Sequence, residues 1–555
     1  MAVVYMRKLE EEPDTYEERF TSLTKGINLE VYEWILENVN STDAVLEVGC
    51  GPGTLSYRMA KKGAKVQAID KSEEMISQAK KTYLEKEAIS INFDVASSEG
   101  WSIPEVKYDK IVSTFMLSEL RPFEQQIFLR NIWQSLKNNG KLLIAAEFVP
   151  ENMWKVPFNI KRWWYRKKLG RLKKSTNPLK WFKSYLEPIG FKINSIKAWN
   201  HGAIQVMEIE KVTKEGQKEP GYYRPKRVNY KGLKSQLKIY RCIFTGQVDK
   251  VPIEPGIYQS GESDETSPII VTANYVFTYI KVMRALEGTD AWVLCLDSNG
   301  INVWCAARGG DFENKQLLEV VKATDIENIT EKRMLILPQL SAGGVDSRVL
   351  PMNSEEFPFK IKYGPIWAEY LKEYLEEKPK RKPLKMRLAK FSLSHRIRAG
   401  VTHITFLLRK IFSWPLLGLL LLFLILGFIN TSWFSKLWSI PEILFWVVFS
   451  NAVISIFFPL SKFTRKFIIK GIFFGIINVV LLGIFTWFLR LSVLYVILSI
   501  VLQFWIAFFS TMSFSGYTMS TDPKEIQEEY LTFRKINIPI MILGIILYLI
   551  GVIFF

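Results

Sequence analysis

Ala44-Val45-Leu46-Glu47-Val48-Gly49-Cys50-Gly51-Pro52-Gly53, continuing through TLSYRMAKKG into KVQAID at Asp70, decides how the N-terminal part of this chain folds. A short apolar run enters a glycine turn, and the turn opens an amphipathic helix. Glycines there let the backbone approach a ligand closely at the helix N-terminus. Asp70 ends the second strand seventeen residues beyond Gly53, where an acid can accept both ribose hydroxyls of a nucleoside. From residue 44 onward β-rich runs alternate with helical ones, which predicts a parallel sheet covered by helices. The turn has no lysine for a triphosphate, which argues against a nucleotide hydrolase.

At 555 residues the chain needs two or three separate cores. The last 145 positions turn abruptly to Leu, Ile, Phe and Trp. Five runs there, near 412–430, 438–459, 467–489, 491–511 and 536–555, approach the roughly 20 apolar residues that cross a bilayer. They hold too few polar groups to suggest passage of a solute. Cations crowd the approach from Lys378 to Lys410 and the turn with Lys462, Arg465 and Lys466, against only Lys436 and Arg490 on the other side. By the positive-inside rule a multi-pass cell-membrane protein with cytoplasmic soluble domains is expected. The N-terminal MAVVYMRKLEEEPDTYEERF carries charges where an export signal needs an apolar stretch. Four cysteines without a Cys-x-x-Cys pair exclude a disulfide framework and an iron–sulfur or zinc spacing, so low-potential electrons must come from a partner.

A second α/β region follows a polar linker, with strands expected in SPIIVTANY, AWVLCLD and RMLILPQ. Directly after the strand ending in Asp297 stands Gly300-Ile301-Asn302-Val303-Trp304-Cys305-Ala306-Ala307. Cys305 reads either as a packed core thiol or as a thiolate favoured by helix N-terminal amides. Ala306 and Ala307 leave room for something flat, and a thiolate suits a late transition metal. The insertion KVPFNIKRWWYRKKLGRLKKSTNPLKWFK has many cations, no acids and interleaved aromatics. It reads as a surface for membrane lipids rather than for nucleic acid. His201, alone in its domain, reads as a hairpin surface residue with general base as the alternative.

The glycine turn, Asp70, DKIVSTFMLSEL and the closing hairpin GFKINSIKAWNHGAIQVMEIE together resemble the class I S-adenosylmethionine (SAM) methyltransferases over about residues 20–212. The resemblance implies a cofactor site of Glu47, Gly49, Gly51, Gly53 and Asp70, with Asp94 near the adenine. Methyl transfer from a sulfonium needs mainly in-line positioning, so no dedicated acid or base is required.

GINVWCAA at 300–307, PGIYQSG, SPIIVTANY at 267–275, LILPQLSAGGV at 335–345 and IKYGPIWA at 361–368 resemble the corrinoid protein family of bacterial mercury methylation (HgcA), itself related to the corrinoid iron–sulfur proteins. FSTMSFSGYTMSTDPKEIQEEY extends the resemblance into the apolar tail, so that it covers roughly 240–555. It implies cobalamin or a related corrinoid, with Cys305 as lower axial ligand to cobalt. Asn302, Val303, Trp304 and Ala306 would shape the corrin face, and Thr272 and Asn274 would lie on the other face near the methyl group. A ferredoxin-like low-potential donor is the implied partner. Arg308-Gly309 stand where that family has Gly-Lys, which leaves mercury itself open as the acceptor.

The expected architecture is therefore α/β: a Rossmann-like methyltransferase domain (1–212), a linker (213–239), an α/β corrinoid-binding domain (240–378), a basic juxtamembrane segment (379–411) and an all-α bundle of five transmembrane helices (412–555). The expected activity is SAM- and corrinoid-dependent methyl transfer to a small-molecule or metal-ion acceptor, Hg(II) or another metalloid. The alternatives are methylation of a membrane lipid or quinone beside a separately acting corrinoid domain, and a corrinoid carrier or sensor without turnover.

Overall fold

The computed structural model describes residues 9, 12–83, 90–96, 108–150, 152–168, 178–213, 217–225, 230–245, 251–298, 312–379, 381–388, 392–489, 492–513 and 523–554. Two helices, α1 (Tyr16–Thr24) and α2 (Ile27–Glu37), precede the first sheet. The first unit continues with β1 (Ala44–Val48), α3 (Thr54–Lys61), β2 (Lys65–Asp70), α4 (Glu73–Tyr83), β3 (Ile91–Val95), β4 (Tyr108–Thr114), α5 (Pro122–Ser135) and β5 (Leu136–Glu147). It closes with α6 (Lys155–Lys168), α7 (Phe182–Ile189), β6 (Phe191–Trp199) and β7 (Ile204–Lys211). Its sheet has the order β3-β2-β1-β4-β5-β7-β6, parallel except for β7, which runs antiparallel to both β5 and β6. The expected hairpin at 190–210 is this β6–β7 pair. Val45, Leu46, Ile111 and Val112 are completely buried, as strands covered on both faces require.

The second unit comprises α8 (Leu233–Phe244), β8 (Gly256–Ser260), β9 (Ile269–Ala273), α9 (Val276–Ala285), β10 (Ala291–Leu296), α10 (Asn314–Thr324), β11 (Met334–Leu337), β12 (Lys360–Tyr363) and α11 (Leu371–Glu377). Strand order is β12-β11-β9-β10-β8, with β8 alone antiparallel. The three expected strands are β9, β10 and β11. The edge strands β8 and β12 come from PGIYQSG and IKYG, where four or five residues give too short an alternation to read. α9 packs into one core and α10 into another on the opposite face of the sheet. Loops leaving β9 and β10 thus diverge, which opens a crevice between their C-terminal ends.

The segment expected as a linker is divided between the two units. Tyr223 packs edge-on against Tyr185 in the first unit's core, and Gly221 N donates to Ile189 O at 3.1 Å. From Leu233 the chain is helix α8, belonging to the second unit.

The units share a core. Phe123 of α5 is 1% exposed and sits among Phe312, Leu317 and Val320 of the second unit. Lys315 Nζ at the start of α10 lies 3.5 Å from Glu124 Oε1 at the start of α5. Near the other ends, Arg130 Nη1 donates to Lys322 O at 3.3 Å. α5 and α10 therefore run side by side in the same direction.

The C-terminal region is all-α: α12 (Leu393–Leu407), a π-turn at Leu408–Phe412, α13 (Ser413–Ile429), α14 (Ser439–Phe457), α15 (Phe467–Leu489), α16 (Val493–Ser513) and α17 (Pro523–Phe554). Among the described residues four stretches, Thr431–Phe463, Phe467–Phe485, Val493–Met512 and Leu531–Phe554, are long and apolar enough to cross a membrane. The run expected as the first span is α13, a shorter apolar helix of 17 residues. The helical path towards it begins earlier than expected, because α12 already packs on α14: Arg396 Nε donates to Ser455 O at 2.6 Å, and Gly400 lies against Ser455.

The bundle interior is more polar than the sequence suggests. Ser450 Oγ donates to Asn478 Oδ1 (3.0 Å), Asn478 Nδ2 to Gln503 O (2.9 Å), Asn451 Nδ2 to Ser510 Oγ (3.2 Å) and Trp505 Nε1 to Asn537 Oδ1 (2.8 Å). Such bonds join helices that lack a hydrophobic drive to associate in lipid.

Phe123→Ala empties a buried site shared by both units and is expected to destabilise their docking by about 3 kcal/mol. Thermal unfolding should start lower, and trypsin should cut between the units. An unchanged digestion pattern would show that they do not share a core.

Candidate functional site

A cleft lined by the glycine turn, Asp70 and the first two helices opens at the C-terminal edge of the first sheet. Its floor is the glycine turn. Gly49 has φ +78°, and a Cβ there would stand 2.6 Å from Met116 Cβ, so only glycine fits. Gly49 N and Cys50 N both donate to Ile69 O, at 2.8 and 3.1 Å. Gly51 lines the cleft with open space above it. Gly53 instead serves packing, since a Cβ on it would meet the Phe93 ring at 2.7 Å where the start of α3 lies against β3.

Asp70 is fixed by two backbone amides. Its Oδ2 accepts from Gly51 N and its Oδ1 from Ser72 N, both at 2.9 Å. Each oxygen keeps a second lone pair for a hydroxyl donor. Burial raises its pKa against the pull of those amides. Glu47 is 1% exposed and takes a hydrogen bond from Ser56 Oγ. Burial, with Asp70 and Glu17 nearby, pushes its pKa up to about 8. Cys50 also faces the cleft, and burial raises its thiol well above the ordinary range, so it is not a nucleophile at neutral pH.

The opposite wall comes from α1 and α2. Asn28 Nδ2 donates to Thr21 Oγ1 (2.8 Å) and Glu17 Oε1 (3.2 Å), and Thr24 Oγ1 donates to Asn28 Oδ1 (2.7 Å). This network holds Glu17 and Tyr32 towards the cleft. Phe115, in a left-handed conformation at φ +63°, and the Lys71–Glu119 ion pair complete the rim. Four acidic side chains, Glu17, Glu47, Asp70 and Glu119, thus face one lysine, with Glu47 protonated at neutral pH until a positive charge arrives. That electrostatic balance suits a cationic ligand such as a sulfonium bearing an ammonium group.

Of the sequence-predicted residues, Glu47, Gly49, Gly51 and Asp70 meet in this cleft. Asp94 stands on β3 outside the cleft lining, where Gln67 Nε2 donates to its Oδ2 at 2.5 Å. His201 stacks on Trp154, ring centroids 3.8 Å apart, also outside that lining. Sequence reasoning missed Glu17 and Tyr32. The only signal for them was the helical spacing of Tyr16, Phe20 and Thr24, which leaves Glu17 beside an apolar face.

In the second unit, Thr272 is fully buried within β9, paired in register with Cys295 of β10. Asn274, 1% exposed, ties the crevice together: its Nδ2 donates to Ile253 O (3.2 Å) and Asp297 Oδ1 (3.4 Å), and its Oδ1 accepts from Ser298 N (3.3 Å). Burial raises the thiol pKa of Cys242 and of Cys295, leaving both as packing thiols. Asn302, Val303, Trp304, Cys305 and Ala306 lie outside the described residues, as does the whole stretch 299–311 that follows the crevice. Among the described residues no group of three His, Cys, Asp or Glu could hold a metal ion.

The C-terminal edges of the two sheets face the same side. α5 leaves the cleft edge of the first sheet and α10 starts beyond the crevice edge of the second, and these helices run parallel. At the edges themselves, Ser184 Oγ donates to Glu254 Oε1 at 2.8 Å. Lys180 is bracketed by Lys155 of the first unit and by Glu254 and Asp297 of the second; burial lowers its pKa and the two acids oppose that shift.

Residues 45–140 match the family model described as a methyltransferase domain. The first unit is a methyltransferase domain. Residues 228–346 match the model described as the CO dehydrogenase/acetyl-CoA synthase delta subunit. The acetyl-CoA decarbonylase/synthase complex subunit gamma of Methanopyrus kandleri is 34% identical over 129 residues, 21% of this chain and 28% of that protein. The corrinoid/iron-sulfur protein large subunit of Moorella thermoacetica is 29% identical over 98 residues, 17% of this chain and 22% of the relative. An uncharacterized methyltransferase of Staphylococcus carnosus is 34% identical over 127 residues, 22% of this chain and 58% of its own length. A solved SAM-dependent methyltransferase from Methanosarcina mazei aligns over 32% of this chain and 98% of its own at 20% identity, with a TM-score of 0.28. The chain spans 22 to 30% of the length of the gamma subunits it matches. It joins a unit similar to methyltransferase domains to one related to corrinoid proteins.

Gly49→Ala places a Cβ into Met116 at a positive φ and is expected to abolish SAM binding while the second unit stays folded, as read by calorimetry and circular dichroism. Glu47 gives a pH signature. Its folded pKa of about 8 lies above the ordinary 4.5, so stability without ligand falls as pH rises between those values. Glu47→Gln should therefore melt above wild type at pH 8 and level with it near pH 5. A cationic ligand favours the carboxylate, so SAM binding at pH 7 should release about one more proton from wild type than from Glu47→Gln, measured by titration calorimetry in buffers of different ionisation enthalpy.

Proposed function

We propose that this chain relays a methyl group from SAM, bound in the first cleft, to a corrinoid held at the crevice of the second unit, and from there to a soft acceptor such as Hg(II) or another metalloid. The observation that supports the reading is that the C-terminal edges of the two sheets face one side of the molecule, with Ser184 and Glu254 joined between them. A relay needs donor and acceptor sites at high effective concentration, and two units sharing one core supply it.

In this reading Glu47 and Asp70 fix the methionine and ribose ends of SAM, and the carboxylate field of the cleft balances its charge. Cys305 would be the residue that holds cobalt, Asn302, Val303, Trp304 and Ala306 would hold the corrin, and Thr272 and Asn274 would border the methyl group. When bound, the corrinoid supplies a cobalt centre that takes up a methyl group and yields it to a soft electrophile. Cys242 and Cys295, held as thiols, do not compete with Cys305 for the metal. A separate ferredoxin-like donor keeps the cofactor reduced. The apolar C-terminal helices, α13 included as a fifth span, hold the chain in the cell membrane with its soluble units in the cytoplasm.

A second reading has one observation in its favour. Met153, Trp154, Val156 and Ile160, beside Lys155 and Lys161, are exposed on and before α6, which follows the cleft edge of β5. Such a surface suits a lipid or quinone acceptor drawn from the bilayer.

The deciding experiment is the visible spectrum of detergent-purified protein with cobalamin, wild type beside Cys305→Ala, reduced and then given methyl-labelled SAM. A thiolate-type spectrum lost in the variant, with label recovered on the corrinoid, supports the relay. Binding without label transfer removes the relay and leaves the second reading. Glu254→Ala is expected to slow label transfer about tenfold, with SAM and cobalamin affinities unchanged.

A further inference from the structure

α8 reads LKSQLKIYRCIF, and one face of it, Ser235, Ile239, Cys242 and Ile243, is buried in the second unit. The other face is apolar as well. Leu233, Leu237, Tyr240 and Phe244 are 75, 57, 47 and 60% exposed. Their spacing of i, i+4, i+7 and i+11 places them in a single stripe. Lys231, Lys234, Lys238 and Arg241 stand among them, and no acid occurs between Tyr230 and Val248. A soluble surface rarely gathers such large apolar side chains with nothing to cover them.

The neighbours of α8 say what covers the stripe. α8 packs against α12, whose Val401 joins the cluster containing Ile239 and Ile243. The same helix touches α14 through Arg396 and Gly400, at Ser455. α14 ends at Phe457, and the turn beyond it carries Lys462, Arg465 and Lys466. α8 thus stands beside the cationic end of the apolar bundle, where a bilayer around that bundle passes from acyl chains to headgroups.

We propose that α8 is an interfacial helix whose stripe Leu233, Leu237, Tyr240 and Phe244 lies in an anionic lipid leaflet, with Lys234, Lys238 and Arg241 on the phosphates. Apolar area and cations of this kind are what hold amphipathic helices in the plane of a membrane. The assignment is independent of the methyl chemistry and rests on the C-terminal helices being embedded in lipid.

The test uses the full chain with Leu237→Cys or Tyr240→Cys, labelled with an environment-sensitive fluorophore and reconstituted into phosphatidylcholine–phosphatidylglycerol vesicles. Wild type labelled in parallel corrects for the native cysteines, and retained SAM binding reports folding. Brominated lipid should quench the label at least about twofold, with aqueous iodide nearly without effect, as expected for a probe at the acyl boundary. Quenching by iodide and not by brominated lipid would overturn the proposal. Protection from both quenchers with a dimer in solution would also overturn it, since a protein would then be the cover. Release of the whole chain by alkaline extraction would overturn it at its premise.

Discussion

The parallel contact between α5 and α10 is the constraint on which the rest of the soluble structure depends. Phe123 leaves the first unit to complete one core of the second, so the apolar surface between them is buried only when they dock. Because α5 and α10 each begin at the C-terminal edge of their own sheet, pairing them start to start sets the relative direction of both sheets. Reversing one helix would turn the two edges to opposite sides of the molecule. A single packing choice thereby determines whether chemistry in one unit can reach the other.

Within the first unit, the electrostatics follow from burial. Glu47 and Asp70 are kept from water by the elements that shape the cleft, and their carboxylates are costly there without a cation. The cost to the empty protein is recovered when a positive ligand arrives. Stability without ligand and affinity for it are opposite faces of the same buried charge.

The sequence made the first sheet legible because its strands alternate with helices at regular length and its glycine turn has a mechanism at each position. Gly49 and Asp70 could be placed from spacing alone. Glu17 and Tyr32 could not, because they reach the cleft through the packing of α1 on α2, which no local pattern encodes. Asp94, also expected at the cofactor site, accepts from Gln67 on the neighbouring strand, a partner that no local pattern announces. In the second unit β9, β10 and β11 were readable, while β8 and β12 are too short to show a period. The bundle was visible as apolar runs, but Asn478, Gln503 and Asn537 look isolated in one dimension and become partners only when helices adjoin. The extra reach of α12 was hidden because its Arg396 and Gly400 read as a polar approach rather than as a packed helix.

α12 has one further effect. Its Val401 belongs to a soluble core while Arg396 and Gly400, on neighbouring turns, belong to the bundle. Among the described residues one continuous helix joins the two, so the soluble units are not tethered cargo free to swing. Turning motions of the soluble units are thereby coupled to those of the C-terminal helices, and a force applied to either part is carried into the other through α12.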